Sequence, residues 1–322
     1  MDYLTIIFVT ASALRLAVPL IFASMGGLYA EKSGVIDIGL EGKMLFGAFA
    51  AGACAASFGS AGAGLIGAIF AGVMLALAQG FASIHLRGNQ LVIGIAINII
   101  ASGLTAFLGI AWYQRGGQTP QLDVQQRFLP ITLPGAETLA DVPVVGPLYS
   151  QVISGQTVFV YGAFLLVAVT AVVIYRTRFG LRLRACGDKP QAADTAGISV
   201  YATRYLALAI NGALCGIGGA YFALVQGGAF YKDMTAGQGY MALAAVIFGN
   251  WRPGRVLAAC LLFAFADAIQ GRLQGAAIDG VMIPTQIIQA LPYVLTLLLL
   301  AGVVGRAEGP IEAGRPYLKG ER

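Results

Sequence analysis

The chain has 322 residues, of which 58% are hydrophobic and only 11% charged, and its mean hydropathy is +0.78; a soluble domain carries about 25% charged residues. This excludes a soluble globular enzyme and marks a polytopic, all-α membrane protein. The net charge of +5 does not describe a nucleic-acid surface, because the Lys and Arg residues gather in short segments between apolar runs, as they do where charge sets membrane orientation.

A span needs about 20 mostly apolar residues. In chain order, the runs at 14–30, 43–59, 62–84, 90–112, 157–175, 203–225, 255–274 and 285–304 predict eight transmembrane helices. Residues 3–13 are shorter and predict an interfacial segment; Met1-Asp2 carries no positive n-region, so the first apolar stretch is expected to be retained. Residues 240–250, "YMALAAVIFGN", lie between Gly-rich "GQG" and "RPGR" and predict a re-entrant or half helix. The 44 glycines predict close helix packing and broken spans. One transmembrane domain is expected over 1–305, followed by a cytoplasmic tail over 306–322.

Placing "RTRFGLRLRACGDK" inside also puts Lys32, Lys43, Arg87, Arg204, Arg252, Arg255 and the tail cations inside, a split of 15 to 4 with Arg15 unassigned. The segment 113–156 becomes the large external loop, 176–202 a cytoplasmic segment, and both the N-terminus outside and the C-terminus inside follow by alternation. A faint likeness links residues 33–52 with 236–255, each a Gly-flanked short apolar segment in its own half of the chain.

The stretch "SGVIDIGLEGKMLFGAFAAG" sets Asp37 and Glu41 one helical turn apart at the mouth of a span. Gly34, Gly39 and Gly42 are expected to loosen the backbone there. The two acids suit either a gate or substrate path, or a helix N-terminus whose dipole they complement. In 176–202, Pro190 suits a first helical turn, Asp188 a cap and Gly197 a stop, which predicts a helix of about two turns. Ala192, Ala193 and Ala196 offer it one small apolar face for a partner protein; the alternative is an ordinary basic loop.

Four cysteines show no C-x-x-C spacing and the lone His85 has no Cys or His beside it, so no metal site is expected. No Gly-x-x-x-x-Gly-Lys-Ser/Thr loop, nucleophile elbow or pair of catalytic acids occurs, so the chain is not expected to be an enzyme or to need a cofactor.

Thr177 to Gly180, Arg184 to Gly187 and Gly197-Ile198 resemble the coupling region of ABC importer permeases in the branch serving branched-chain amino acids, simple sugars and nucleosides. Residues 15–49 sharpen the likeness: Arg15, Pro19-Leu20, Gly26-Gly27, Glu31, Ser33-Gly34, Ile38-Gly39, Glu41-Gly42, Met44-Leu45 and Gly47-Ala48-Phe49 are similar to the signature of nucleoside permeases served by a BMP-type binding lipoprotein. Asp37 departs from it, standing where Asn is expected.

The resemblance implies a permease bundle like those of vitamin B12 and ribose importers in the cell inner membrane. It also implies a nucleoside-like cargo, a separate ABC ATPase, a second related permease and an external binding lipoprotein. The residues expected to couple to the ATPase are Arg184, Gly187, Asp188, Pro190, Ala192, Ala193, Ala196 and Gly197. Those expected along the passage are Asp37, Glu41, Asn98, Asn211 and Gln238; amides suit hydroxyls and base edges, though Asn98 and Asn211 equally suit links between helices. Asp267 is expected to pair with Gln270 and Arg272. Rival readings are a simple-sugar or branched-chain amino acid permease, and an ion-coupled secondary transporter.

Overall fold

The computed structural model describes residues 3–134, 145–273, 277–278, 281–282, 286, 290, 294 and 309–319. Among the described residues, six helical stretches are long and apolar enough to cross a membrane: Thr5–Lys32, Ala61–His85, Gln90–Tyr113, Val158–Arg176, Val200–Gly227 and Pro253–Leu273. Helix α1, Tyr3–Lys32, contains the first of them. Residues 3–13 are thus not a separate interfacial piece. They prolong the first span, because Val9 and Ala13 bury against Ala268 and Ile269 near the far end of the chain's last described span.

Helix α2, Leu40–Phe58, is long enough to cross but opens with Glu41 and Lys43. Helices α3, Ala61–Gly80, and α4, Gln90–Tyr113, follow, with a π-helical turn Phe81–His85 prolonging α3. After a short α5, Val145–Leu148, come α6, Val158–Arg176, α7, Arg178–Asp188, and α8, Pro190–Thr195. Then α9, Val200–Tyr221, continues as a π-helical turn to Gly227, the 11-residue α10 spans Gln238–Phe248, and α11 spans Pro253–Leu273. The expected span at 285–304 falls outside the described residues except at 286, 290 and 294. Among the described residues the only strands are the antiparallel pair β1, Ala277–Ile278, and β2, Val281–Met282.

The core is mainly apolar, yet large apolar side chains also face outward and several amides are buried. Ile95, Ile99, Phe107 and Ile110 of α4 and Ile66, Phe70 and Met74 of α3 are exposed, while Gln79, Gln90, Asn98 and Asn211 are buried. An apolar outside over an interior that also holds amides is what a bilayer stabilises. The glycines do their work where α2, α3 and α9 meet backbone to backbone. A methyl group added at Gly72 would sit 2.1 Å from the Gly212 carbonyl oxygen, and one at Gly47 would sit 2.8 Å from the Gly216 Cα.

The described parts of the 113–156 connection fold back onto the end of α9. Leu122 donates its N–H to the Gly228 carbonyl at 2.8 Å, and Phe128 to that of Leu224 at 3.2 Å. At the opposite end of the bundle, residues 309–319 lie across α7, α8 and the α1–α2 connection.

Replacing Gly72 by Ala should lower the thermal unfolding midpoint of the detergent-solubilised protein by the equivalent of about 1–3 kcal/mol, the usual cost of overpacking. Gly103, which has open space around it, is the matched control: Gly103→Ala should leave the midpoint unchanged or raise it slightly.

Candidate functional site

Helix α1 ends at Lys32, and Gly34 turns the chain back with φ +90°, a conformation that favours glycine. Residues 35–39 run without helical structure to the start of α2. They climb beside α4, because Asn98, about 12 Å along that helix from Gln90, gives its side-chain N–H to the Ile38 carbonyl at 3.0 Å. The same amide's oxygen accepts from the Gly42 N–H at 2.8 Å. Gly42 is therefore not a loosening element. It is needed for close approach, since a Cβ there would lie 2.8 Å from the Ile97 carbonyl oxygen.

This re-entry delivers Asp37 to the interior. Its Oδ2 accepts from Lys43 Nζ at 2.5 Å, and both side chains are 0% exposed. Asp37 Oδ1 accepts from the Gly39 N–H at 2.9 Å, and Lys43 gives a second hydrogen bond to Asn211 Oδ1 of α9 at 2.8 Å. Lys43 is consequently not an interfacial orientation marker; it is the counter-charge of Asp37. Gln79 of α3 is fully buried beside them with neither amide atom partnered, and the Asn211 side-chain N–H2 is likewise unpartnered. Gln79 Oε1 and Asp37 Oδ1 flank one spot, 3.0 and 3.2 Å from where a Gly39 Cβ would stand.

Glu41, one turn on, does different work. Its Oε1 accepts from the Thr235 hydroxyl at 2.6 Å and the Gly237 N–H at 2.9 Å, and its Oε2 from the Gly239 N–H at 2.6 Å. The carboxylate thus closes the N-terminus of α10, satisfying free N–H groups and the helix dipole together. Gly239 permits this, for a Cβ there would meet the Glu41 backbone at 2.4 Å. Asn98 also donates to Tyr240 Oη at 3.0 Å, so α4 holds both residues 35–39 and α10. Gln238 is half-buried, with a carbonyl oxygen that has no partner. At the other end of α10, Trp251 Nε1 donates to Glu31 of α1.

The basic segment lies at the end of the bundle where α1 terminates. Pro190 opens α8, and Gly197 ends that turn at φ +79°. The residue before Pro190 is Lys189, so Asp188 closes α7 instead of capping α8. The alanine face is divided: Ala192 and Ala196 are exposed, whereas Ala193 is buried in a cluster with Cys186, Val200 and Tyr317. Arg184 stacks over the Tyr175 ring, 5.6 Å from its centroid. Burial pushes the Cys186 thiol above its usual range, which leaves it an inert filler.

Gly187 is buried, and its carbonyl accepts from the Glu312 N–H at 3.0 Å. Gly314 donates to the Gly34 carbonyl at 3.1 Å, and Arg204 reaches both the Ser33 carbonyl, at 3.1 Å, and the Arg315 carbonyl, at 3.4 Å. A groove of about 1250 Å³ opens here, edged by Lys32, Arg178, Arg182, Ala192, Ala196 and Ile311. Sequence reading missed Lys43, Gln79, Thr235 and Tyr317. Lys43 carried a usable signal, since a lysine within "EGKMLFGAFAAG" has no lipid-compatible state without a partner; the other three carried none.

The family model described as "Branched-chain amino acid transport system / permease component" matches residues 9–304. The guanosine ABC transporter permease protein NupQ of Bacillus subtilis is 37% identical over 100% of both chains. The nucleoside ABC transporter permease protein NupC of Lactococcus lactis is 36% identical over 98% of each. TsgC13 of Haloferax volcanii, whose name assigns it to a glucose ABC transporter, is 33% identical over 92% of each.

Asp37→Asn should destabilise the protein by about 3–5 kcal/mol, because it strands a buried ammonium. The double variant Asp37→Asn with Lys43→Met should recover most of that loss. Thermal unfolding of the single and double variants measures the coupling, and additive losses would show that the two charges do not interact.

Proposed function

The chain belongs to the family of branched-chain amino acid transport system permease components, and we propose that it is one permease subunit of an ATP-driven importer for nucleosides. The observation that carries this reading is a full-length likeness to two nucleoside and guanosine permeases, together with a buried polar core at a broken span. ATP hydrolysis then resides on a separate ATPase. A second, related permease completes the passage, and an external binding protein delivers cargo. The seven helices α1, α2, α3, α4, α6, α9 and α11 cross the bilayer, and α10 is a re-entrant half helix.

In this reading the end of the bundle bearing α8 and residues 309–319 faces the cytoplasm. The exposed Ala192 and Ala196 and the basic groove beside them meet the ATPase. Movement of α8 is carried to the re-entrant segment through Gly187, Glu312, Gly314 and Gly34, which are joined by backbone hydrogen bonds. That segment holds Asp37, so a shift there changes how the Asp37–Lys43 pair sits against Asn211 and Gln79. The unpartnered amides of Gln79 and Asn211 give the pair a second set of partners within the same interior. Two packings of similar energy are what nucleotide binding needs in order to bias one over the other. Asn98, Asn211 and Gln238 line or support the passage, and Glu41 keeps α10 registered against α2 as it moves.

A simple sugar is the second reading, favoured by the likeness to the glucose-named relative. An ion-coupled carrier would have to rely on Asp267, because Asp37 is spent on Lys43 and Glu41 on the end of α10.

In proteoliposomes, the permeases with their ATPase and binding protein should accumulate a ribonucleoside only when ATP is supplied. Omitting the ATPase should abolish accumulation; ATP-independent accumulation would overturn the reading, and uptake of glucose but no nucleoside would transfer it to the sugar class. Ala192→Arg should reduce co-purification of the ATPase about tenfold or more, as a charge forced into a docking face does, while leaving the permease folded. Ala193→Arg should instead lower the yield of folded protein, because Ala193 is 4% exposed.

A further inference from the structure

At the end of the bundle away from α8, two cavities open side by side. One of about 440 Å³ lies between α1 and α11, and one of about 360 Å³ lies between α1, the end of α9 and residues 127–130 and 155–157. Arg15 and Gln226 stand in the walls of both. Both volumes fall in the range of small-molecule sites. The larger cavity also holds Ser12, Asp267 and Arg272.

Asp267 is the unexplained group. It is half-buried in the last described span, and among the described residues it makes no hydrogen bond or ion pair, with Gln270 and Arg272 or with any other. The expected structural pair is absent. Three other acids near the helical interior each have a defined partner, for Asp37 holds Lys43, Glu41 caps α10 and Glu31 receives Trp251. Arg15, in the same cavity, spends its Nε on Gln156 Oε1 at 3.1 Å, and the rest of its guanidinium has no partner among the described residues. An acceptor and a set of donors therefore face one space without meeting. An unpaired carboxylate at membrane depth is costly unless something uses it.

We infer that this double cavity is a cargo-binding station, and that Asp267 accepts the two hydroxyls of a vicinal diol. The inference rests on the nucleoside reading and names the part of the cargo that is read. A ribose presents two adjacent O–H donors, and a carboxylate presents two acceptor oxygens at matching spacing. Arg15 and Gln226 then supply N–H donors and an amide oxygen to the polar edge of a base. A neutral cargo adds no charge to the site, which suits a solute that must depart again.

The test uses the assembled transporter carrying Ser12→Cys, a position exposed in the wall of the larger cavity. Uridine at about ten times its dissociation constant should slow modification of that cysteine by a small charged thiol reagent about tenfold. 2′,3′-Dideoxyuridine should not slow it, and adding Asp267→Asn should abolish the protection by uridine. Equal protection by the two nucleosides, or protection that survives Asp267→Asn, overturns the inference. The nucleoside comparison stands without any change at Asp267, so misfolding of that variant does not blunt it. ATP-driven uptake of uridine by the unmodified assembly is read separately: its absence overturns the nucleoside reading, and its presence with no protection overturns only the diol site.

Discussion

A lysine and an aspartate sealed together inside a helical bundle constrain everything around them. Neither Asp37 nor Lys43 touches solvent, and desolvating either ion alone would cost several kcal/mol. The pair is tolerable only because Gly39, Asn211 and the near approach of α3 and α4 enclose it. To bring Asp37 inward the chain must reverse at Gly34 and run unpaired for several residues, and those residues must find hydrogen-bond partners away from water. Asn98 and Gln90 provide them, with Gln90 accepting from the Ile36 N–H at 2.7 Å. The interruption between α1 and α2 is thus a requirement of the ion pair and not a flaw in a span.

The positions and order of the described spans were largely legible, because a bilayer imposes length and apolarity on each of them. The 240–250 stretch read as a short helix for the same reason: it is too brief to cross and is bounded by Gly-rich turns. What stayed hidden was pairwise chemistry between distant segments. Lys43 obeys the rule for orientation charges in sequence, and only the folded chain shows that its partner lies six residues back. Glu41 was visible as an acid near a helix start, yet the helix it caps is α10, nearly two hundred residues away, and not its own. Gly42 read as flexibility because sequence cannot distinguish a glycine that bends from one that admits a neighbour. Ala193 read as docking surface because a six-residue helix has no inside until another segment covers it.

The polar interior is economical in a way that bears on transport. Asn98 serves three groups through one amide, joining α4 to the re-entrant segment, to α2 and to α10. Gln79 serves none among the described residues. A membrane interior with both saturated and unsaturated amides has fixed points and spare ones. In the proposed importer, the fixed points keep the half helix in register while the spare ones give the ion pair somewhere else to go.

Tyr317 fills the hollow beside Cys186, Ala193 and Val200, and it is synthesised about 120 residues after α8. Until that segment leaves the ribosome, the nascent platform presents a bare greasy notch at the membrane surface. The α7–α8 platform is thereby completed late: its apolar notch closes only once the segment bearing Tyr317 has been made.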